Sequence, residues 1–171
     1  IDHLILLTHY GDQNEIRLAQ TIKGVDVVIG GDSHSLIGDF ATLGLRASGP
    51  YPTVVKGAAG APVCVATAWQ YNQIVGEMDV AFNDDGEVVR CTGIPHMMLA
   101  DSFKRKDAEG EQVEVEGNER NAIYAEIKAD PKLSIIEGDA DAAAVLANYN
   151  VQVEEIPVSY THLRAHETSG Y

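Results

Sequence analysis

The sequence lacks long hydrophobic runs, an excess of basic residues and more than two cysteines. No apolar stretch approaches the length of about 18 residues that a transmembrane helix requires, so we expect no membrane span in this chain. Asp and Glu number 26 against 12 Lys and Arg, and the net charge of −14 disfavours binding to nucleic-acid polymers. A small nucleotide is not disfavoured, because bound metal cations reverse the local potential at a site.

The two cysteines, Cys64 and Cys91, do not form a Cys-x-x-Cys pair, so a structural zinc site is not expected. They fall in separate predicted strands, and we expect two buried thiols that behave as small hydrophobic side chains. A disulfide in an oxidising compartment stays open, because spacing alone does not decide pairing. The length of 171 residues and the hydrophobic content of 45% suit one globular domain with a sizeable core.

The hydrophobic pattern begins as an alternation of strand and helix. Residues 4–7 and 25–29 form apolar runs typical of buried strands, and residues 14–23 between them have the apolar face of a helix. We expect Asp12 or Asn14 to cap this helix, and the strand–helix–strand order predicts a right-handed parallel crossover. The remaining pattern predicts a loop at 40–51, strands at 53–56, 63–67, 76–82 and 87–92, a hairpin turn at 83–86, and helices at 118–129 and 139–149.

Side chains of the types that can bind a metal ion follow the first two predicted strands. Thr8-His9 ends one strand, and Gly30-Gly31-Asp32-Ser33-His34 ends the other. Because parallel strands present their carboxyl ends at one sheet edge, where ligands bind in open α/β sheets, these side chains are expected to converge. Two imidazoles and a carboxylate suit Zn, Mn or Fe. The pattern predicts a metal site formed by His9, Asp32 and His34.

The run from residue 7 to residue 38 resembles a known motif-rich segment. Its letters are LTHYGDQNEIRLAQTIKGVDVVIGGDSHSLIG. They resemble the C-terminal part of a dinuclear, calcineurin-like metallophosphatase domain of the bacterial 5′-nucleotidase family, which includes NAD nucleotidases and UDP-sugar hydrolases. The resemblance continues through residues 51–55, 60–63 and 76–80, more weakly to 94–96 and Glu119, and covers about residues 1–155. It implies an α/β fold, as part of a four-layer α/β/β/α domain followed by connector helices.

The resemblance also implies a cofactor and an activity. Two divalent metal ions, such as Zn or Mn, would be bound, with His9 at the position of a ligand of the second ion and His34 at that of the first. Asp32 stands where many members have a His; a carboxylate is also a competent ligand, which leaves the metal identity open. The implied activity is hydrolysis of phosphoesters in nucleotides, with 5′-mononucleotides, NAD or UDP-sugars as substrates and no Ser or Cys nucleophile.

The family's upstream motifs are not found in this chain. The motif Gly-Asn-His-Glu, which carries the catalytic His, is absent, and the one Asp-x-His, Asp32 to His34, has the flanks of the late motif. We therefore expect a middle fragment, inactive alone, of a periplasmic or extracellular parent enzyme. Two alternatives stay open: a thiosulfate-ester hydrolase of the same fold, and a non-catalytic extracellular binding protein. Trp69 and Tyr71 are expected to pack against the sheet, and His96 to have a structural or surface role.

Three segments are expected along the chain. Residues 1–117 would form the C-terminal half of the metallophosphatase domain, and residues 118–156 its helical end and the start of an interdomain connector. Residues 157–171, which include VSYTHLRAHETSGY, resemble a translated sequencing adapter and are expected to be non-native. The i, i+4 pair His162 and His166 is therefore not interpreted as a metal site. Substrate-binding residues and the oligomeric state are not assigned.

Overall fold

The structure, a computed structural model, describes residues 2–154 of the chain and the side chains of residues 2–150. The expected adapter-like tail, with His162 and His166, lies outside the described residues. The chain divides into two compact units, Ile1–Ile136 and Glu137–Tyr171. The segment boundaries expected after residues 117 and 156 stay predictions.

The elements in chain order are β1 Ile5–Leu7, α1 Asp12–Thr21, β2 Val27–Gly30, a 3₁₀ helix Ala41–Leu43, β3 Thr53–Lys56, β4 Pro62–Thr67, β5 Ile74–Phe82, β6 Val88–Leu99, β7 Lys104–Lys106, β8 Gln112–Glu114, α2 Gly117–Ala129, β9 Leu133–Ile135 and α3 Ala140–Glu154.

The first sheet has the strand order β1-β2-β4-β3. β1, β2 and β4 are parallel, and β3 joins β4 in the antiparallel sense. The predicted parallel pairing of the first two strands is confirmed, with Ile5 opposite Val27 and Leu7 opposite Ile29. α1 covers one face of this sheet, where buried apolar side chains form a core: Ala19, Val25, Val28, Val63 and Val65.

The start of α1 differs from the expectation. The N-cap is Gly11, with φ of 87°, and neither Asp12 nor Asn14 caps the helix, so the predicted cap at Asp12 or Asn14 is wrong. The helix begins two residues early because the Asp12 N–H already has an acceptor, the Ser33 hydroxyl at 3.1 Å. The Ser33 hydroxyl, in the loop after β2, therefore accepts the hydrogen bond that a local N-cap side chain would otherwise accept.

The second sheet, of order β5-β6-β9, packs against the other face of the first sheet. Side chains from both sheets share one core cluster: Val27, Cys64 and Val88, with Ile29, Met78, Val80, Phe82 and Cys91 around them. Cys64 and Cys91 form a disulfide across this interface, with Cα atoms 5.9 Å apart, within the usual range for such bonds. The expectation of two free thiols is wrong, because sheet-on-sheet packing brings two distant strands together.

β6 is longer than the pattern predicts. It runs to Leu99, past Gly93 and Pro95, whereas the expected strand ends at residue 92. Gly93 pairs with Met78 and Pro95 with Gly76 along β5, so the ladder continues through both residues. Gly93 is required there because a Cβ would overlap the carbonyl of Glu77 and lie 2.9 Å from the ring of Tyr51. Tertiary packing thus explains a glycine that the sequence presents as a strand end.

Helix α2 lies beside β9 of the second sheet and, with α1 and the two sheets, gives the mixed α/β layers of the expected fold class. The predicted hairpin turn is confirmed: the Asn83 side-chain oxygen accepts hydrogen bonds from the N–H groups of Asp85 and Glu87 at 3.1 and 2.8 Å. α3, in the second unit, begins where predicted, with the Asp139 carboxylate accepting from the Ala142 N–H at 2.8 Å. Within residues 2–154 no helix has the length and apolar character needed to cross a membrane.

Candidate metal site

The carboxyl ends of β1 and β2 bring two of the three predicted ligands together. The ladder continues past β1, where the Thr8 N–H donates to the Ile29 carbonyl at 2.9 Å. His9 Nε2 then lies 3.4 Å from Asp32 Oδ1, and the two side chains are 80% and 57% exposed. This separation is longer than a good hydrogen bond. It is about the 3.4 Å expected between two ligand atoms that bind one Zn²⁺ at 2.0–2.2 Å in tetrahedral geometry.

His34 lies near the same sheet edge but faces a different neighbour. Its ring centroid is 5.6 Å from that of Tyr71. Among the residues that the structure describes, no group of three or more His, Cys, Asp or Glu side chains is close enough to hold a metal ion. The structure therefore joins His9 and Asp32, leaves His34 beside them, and leaves metal binding by all three as a prediction.

The backbone at this edge is unusual. Of the described residues other than glycine, those with positive φ are Asp32, His34, Trp69, Tyr71 and Asn72, with φ between 50° and 74°. They occupy the loops after β2 and β4, two neighbouring parallel strands. Non-glycine residues rarely adopt this region, and such residues cluster at functional sites. The clustering makes the carboxyl edge of the first sheet the candidate functional edge.

The two aromatic residues after β4 differ in their environment. Trp69 packs against the cluster of Leu36, Phe40 and Ile74, as expected. Tyr71 is 77% exposed, so the expectation that it packs against the sheet is wrong. The backbone of Tyr71 is left-handed, with φ of 52°, and its ring is the one that lies 5.6 Å from the ring of His34, centroid to centroid.

Glu15 is a buried residue of this region that the sequence pattern did not single out. Its side chain in α1 is fully buried, and Oε1 accepts hydrogen bonds from the Thr8 hydroxyl at 2.7 Å and the N–H groups of Tyr10 and Gly31 at 3.2 and 3.1 Å. An acidic residue on the otherwise apolar face of α1 was the available signal, because a buried carboxylate requires specific partners.

A separate cavity of about 630 Å³ lies beside the second sheet, lined in part by Tyr51, Pro95 and Lys132. Burial, and to a lesser degree the charge of Glu77, raise the pKa of Tyr51 above its ordinary value. His96 Nε2 lies 2.9 Å from Glu77 Oε2, and Glu77 is not one of the predicted metal ligands. This contact agrees with a structural role for His96. The lining of this cavity contains none of the predicted metal ligands.

The fold is a mixed α/β architecture in which two donor side chains, His9 and Asp32, meet at the carboxyl edge of parallel strands, the edge where ligands bind in open α/β sheets. No protein-family model matches the chain. Over 159 residues, or 91% of the chain, it is 31% identical to a probable 5′-nucleotidase of Treponema pallidum and to an NAD 5′-nucleotidase of Haemophilus influenzae. The chain spans 27% and 26% of the lengths of these relatives.

Solved structures also resemble the chain. The NAD nucleotidase of Haemophilus influenzae matches 91% of it with a TM-score of 0.83 and 31% identity, over 32% of that structure. A 5′-nucleotidase precursor from Thermus thermophilus matches 57% of it with a TM-score of 0.54 and 37% identity, over 19% of that structure. The chain belongs to the 5′-nucleotidase family, and the α/β fold that the resemblance implied is confirmed.

Proposed function

We propose that the protein containing this chain is a metal-dependent phosphoester hydrolase that acts on nucleotides. Membership of the 5′-nucleotidase family supports this proposal. The single structural observation that carries it is the 3.4 Å approach of His9 Nε2 to Asp32 Oδ1 at the carboxyl edge of the parallel strands. 5′-Mononucleotides, NAD and UDP-sugars are the candidate substrates.

The donor set fits a divalent cation. An imidazole nitrogen and a carboxylate oxygen, both exposed, are ligands that Zn and Mn accept. His9 and Asp32 would bind one ion, and we propose His34 as a ligand of a second. When bound, such ions polarise phosphoryl oxygens and make water a nucleophile at neutral pH.

The chain's own residues contribute position and charge. Gly31 leaves room for His9, because a Cβ there would lie 3.1 Å from His9 Nδ1. The Asp32 carboxylate adds a negative charge that a His would not. This charge strengthens cation binding, and it lowers the net positive charge with which the bound ion would polarise the substrate. We expect a site with high cation affinity, open to a small anionic substrate.

The disulfide supports export of this protein from the cytosol. Disulfides persist in oxidising compartments and are rare in reducing ones. Cys64 and Cys91 are joined across the interface between the two sheets. We propose a periplasmic or extracellular location on this ground.

The test is an assay of the protein expressed from the complete reading frame that contains this chain. Hydrolysis of AMP, NAD and UDP-glucose is measured with and without Mn²⁺ or Zn²⁺. We expect metal-dependent turnover that falls at least 100-fold in His9→Ala and His34→Ala, on the order of the loss of one catalytic interaction. The matched control is His96→Ala, which removes an imidazole paired with Glu77 and is expected to keep turnover within threefold of wild type, about 0.7 kcal/mol.

The outcome that contradicts the proposal is a folded, metal-loaded protein that hydrolyses none of the three substrates. Full turnover in both His9→Ala and His34→Ala would contradict the assigned ligands while leaving the activity intact.

A further inference from the structure

Glu15 joins the two loops that carry His9 and Asp32. The residues on either side of His9 both donate to Glu15 Oε1, Thr8 through its hydroxyl at 2.7 Å and Tyr10 through its N–H at 3.2 Å. The residue before Asp32 also donates to it, since the Gly31 N–H lies 3.1 Å from the same oxygen. One carboxylate oxygen therefore fixes the backbone on both sides of the candidate metal site.

The carboxylate of Glu15 is enclosed. Its side chain has no exposed surface, and Oε2 is buried without a hydrogen-bond partner among the described residues. A Cβ at Gly30 would overlap this carboxylate, so the last residue of β2 is a glycine where the carboxylate packs. Burial of a charged group is costly unless charge-assisted hydrogen bonds offset it, and here three donors converge on Oε1. The position of the Glu15 carboxylate is thus determined by packing against Gly30 on one side and by the three donors to Oε1 on the other.

We propose that Glu15 is a positioning residue of the candidate metal site, which holds the loops after β1 and β2 so that His9 Nε2 and Asp32 Oδ1 stay 3.4 Å apart. This inference rests on the proposed function, because it assigns a role relative to metal ligands. Glu15 itself is not a ligand in this assignment, since its carboxylate is buried beneath the loops and its bonded oxygen is engaged by three donors.

Substitutions at Glu15 separate the role of the acceptor from that of the charge. Glu15→Ala removes the acceptor and leaves the Tyr10 and Gly31 N–H groups without their partner. Glu15→Gln keeps an oxygen that the same donors reach. Thr8→Val removes one donor at nearly constant volume, so it tests the same network if Glu15→Ala fails to fold.

The measurement is the affinity for Mn²⁺ by isothermal titration calorimetry, with the protein from the complete reading frame, at a temperature well below the melting point of each variant. We expect at least tenfold weaker binding in Glu15→Ala, about threefold weaker binding in Thr8→Val, and recovery to within threefold of wild type in Glu15→Gln. The matched control is Val28→Ala, a fully buried truncation in β2, which lowers the melting temperature but leaves the affinity within twofold.

The outcomes distinguish this inference from the proposed function. Wild-type affinity in both Glu15→Ala and Thr8→Val overturns the positioning role, and so does a Val28→Ala variant that loses as much affinity as Glu15→Ala. A wild-type protein that binds Mn²⁺ but hydrolyses no nucleotide overturns the proposed function alone, and the variant affinities still decide the role of Glu15. No Mn²⁺ binding by the wild-type protein overturns the metal site and the positioning role together.

Discussion

Removal of the Cys64–Cys91 disulfide is expected to destabilise the fold by an amount set by the loop that it closes. The two cysteines are 27 residues apart, and a closed loop of that length restricts the unfolded chain by about 3.5 kcal/mol at 25 °C. A unit of about 135 residues has an unfolding entropy of about 0.28 kcal/mol/K, so this loss corresponds to a fall in melting temperature of about 12 °C. Since total stabilities are about 5–15 kcal/mol, this is a large share of the whole.

The assay compares wild type, wild type reduced with a phosphine, and the double variant Cys64→Ala/Cys91→Ala by near-ultraviolet circular dichroism during heating. Reduced wild type serves as the control, because it loses the bond but keeps both sulfur atoms in the core between the sheets. We expect the reduced and doubly substituted proteins to melt at similar temperatures, both well below the oxidised protein. The reasoning is refuted if the double variant melts within about 3 °C of wild type, or about 0.8 kcal/mol. Two reactive thiols in the unreduced protein would refute the pairing itself.

Two further predictions concern single residues. Because the raised pKa of Tyr51 favours the neutral phenol in the folded state, stability is full below about pH 10 and falls as the pH rises through the folded pKa. As the pH is raised into the alkaline range, the unfolding free energy of Tyr51→Phe should therefore fall less than that of wild type, as measured by urea titrations at each pH. An equal fall in the two proteins would contradict this. Gly30→Ala is expected to cost about 1–3 kcal/mol, because the new methyl group overlaps the Glu15 carboxylate. Gly138→Ala, where a Cβ meets no atom within 4 Å, is the matched control, and equal stability of the two variants would argue against close packing at Gly30.

The elements that the sequence predicted well are those with a local signal. The apolar runs before His9 and Asp32 lie in β1 and β2, and the helix between them makes the parallel crossover that the order of elements predicts. That topology was enough to bring His9 and Asp32 to one sheet edge. The hairpin turn at Asn83 was also predictable, because its side chain satisfies the turn's own N–H groups.

The predictions that failed depend on partners distant in the sequence. The start of α1 shifted because the Asp12 N–H found an acceptor 21 residues away, in Ser33. Tyr71 is exposed, with a left-handed backbone and with its ring near that of His34, 37 residues earlier in the chain, and no local pattern predicts that placement.

By itself the sequence determined the α/β class, the parallel order of the first strands and the residue types at their carboxyl ends, since hydrophobic periodicity and chain order are properties of adjacent residues. Only the tertiary structure decided that Cys64 meets Cys91, that Glu15 joins the loops on both sides of the candidate site, and that His34 lies against Tyr71. The physical reason is the same for all three contacts. Each depends on how separate strands, loops and helices pack in three dimensions, and packing is set by the whole fold rather than by any short segment.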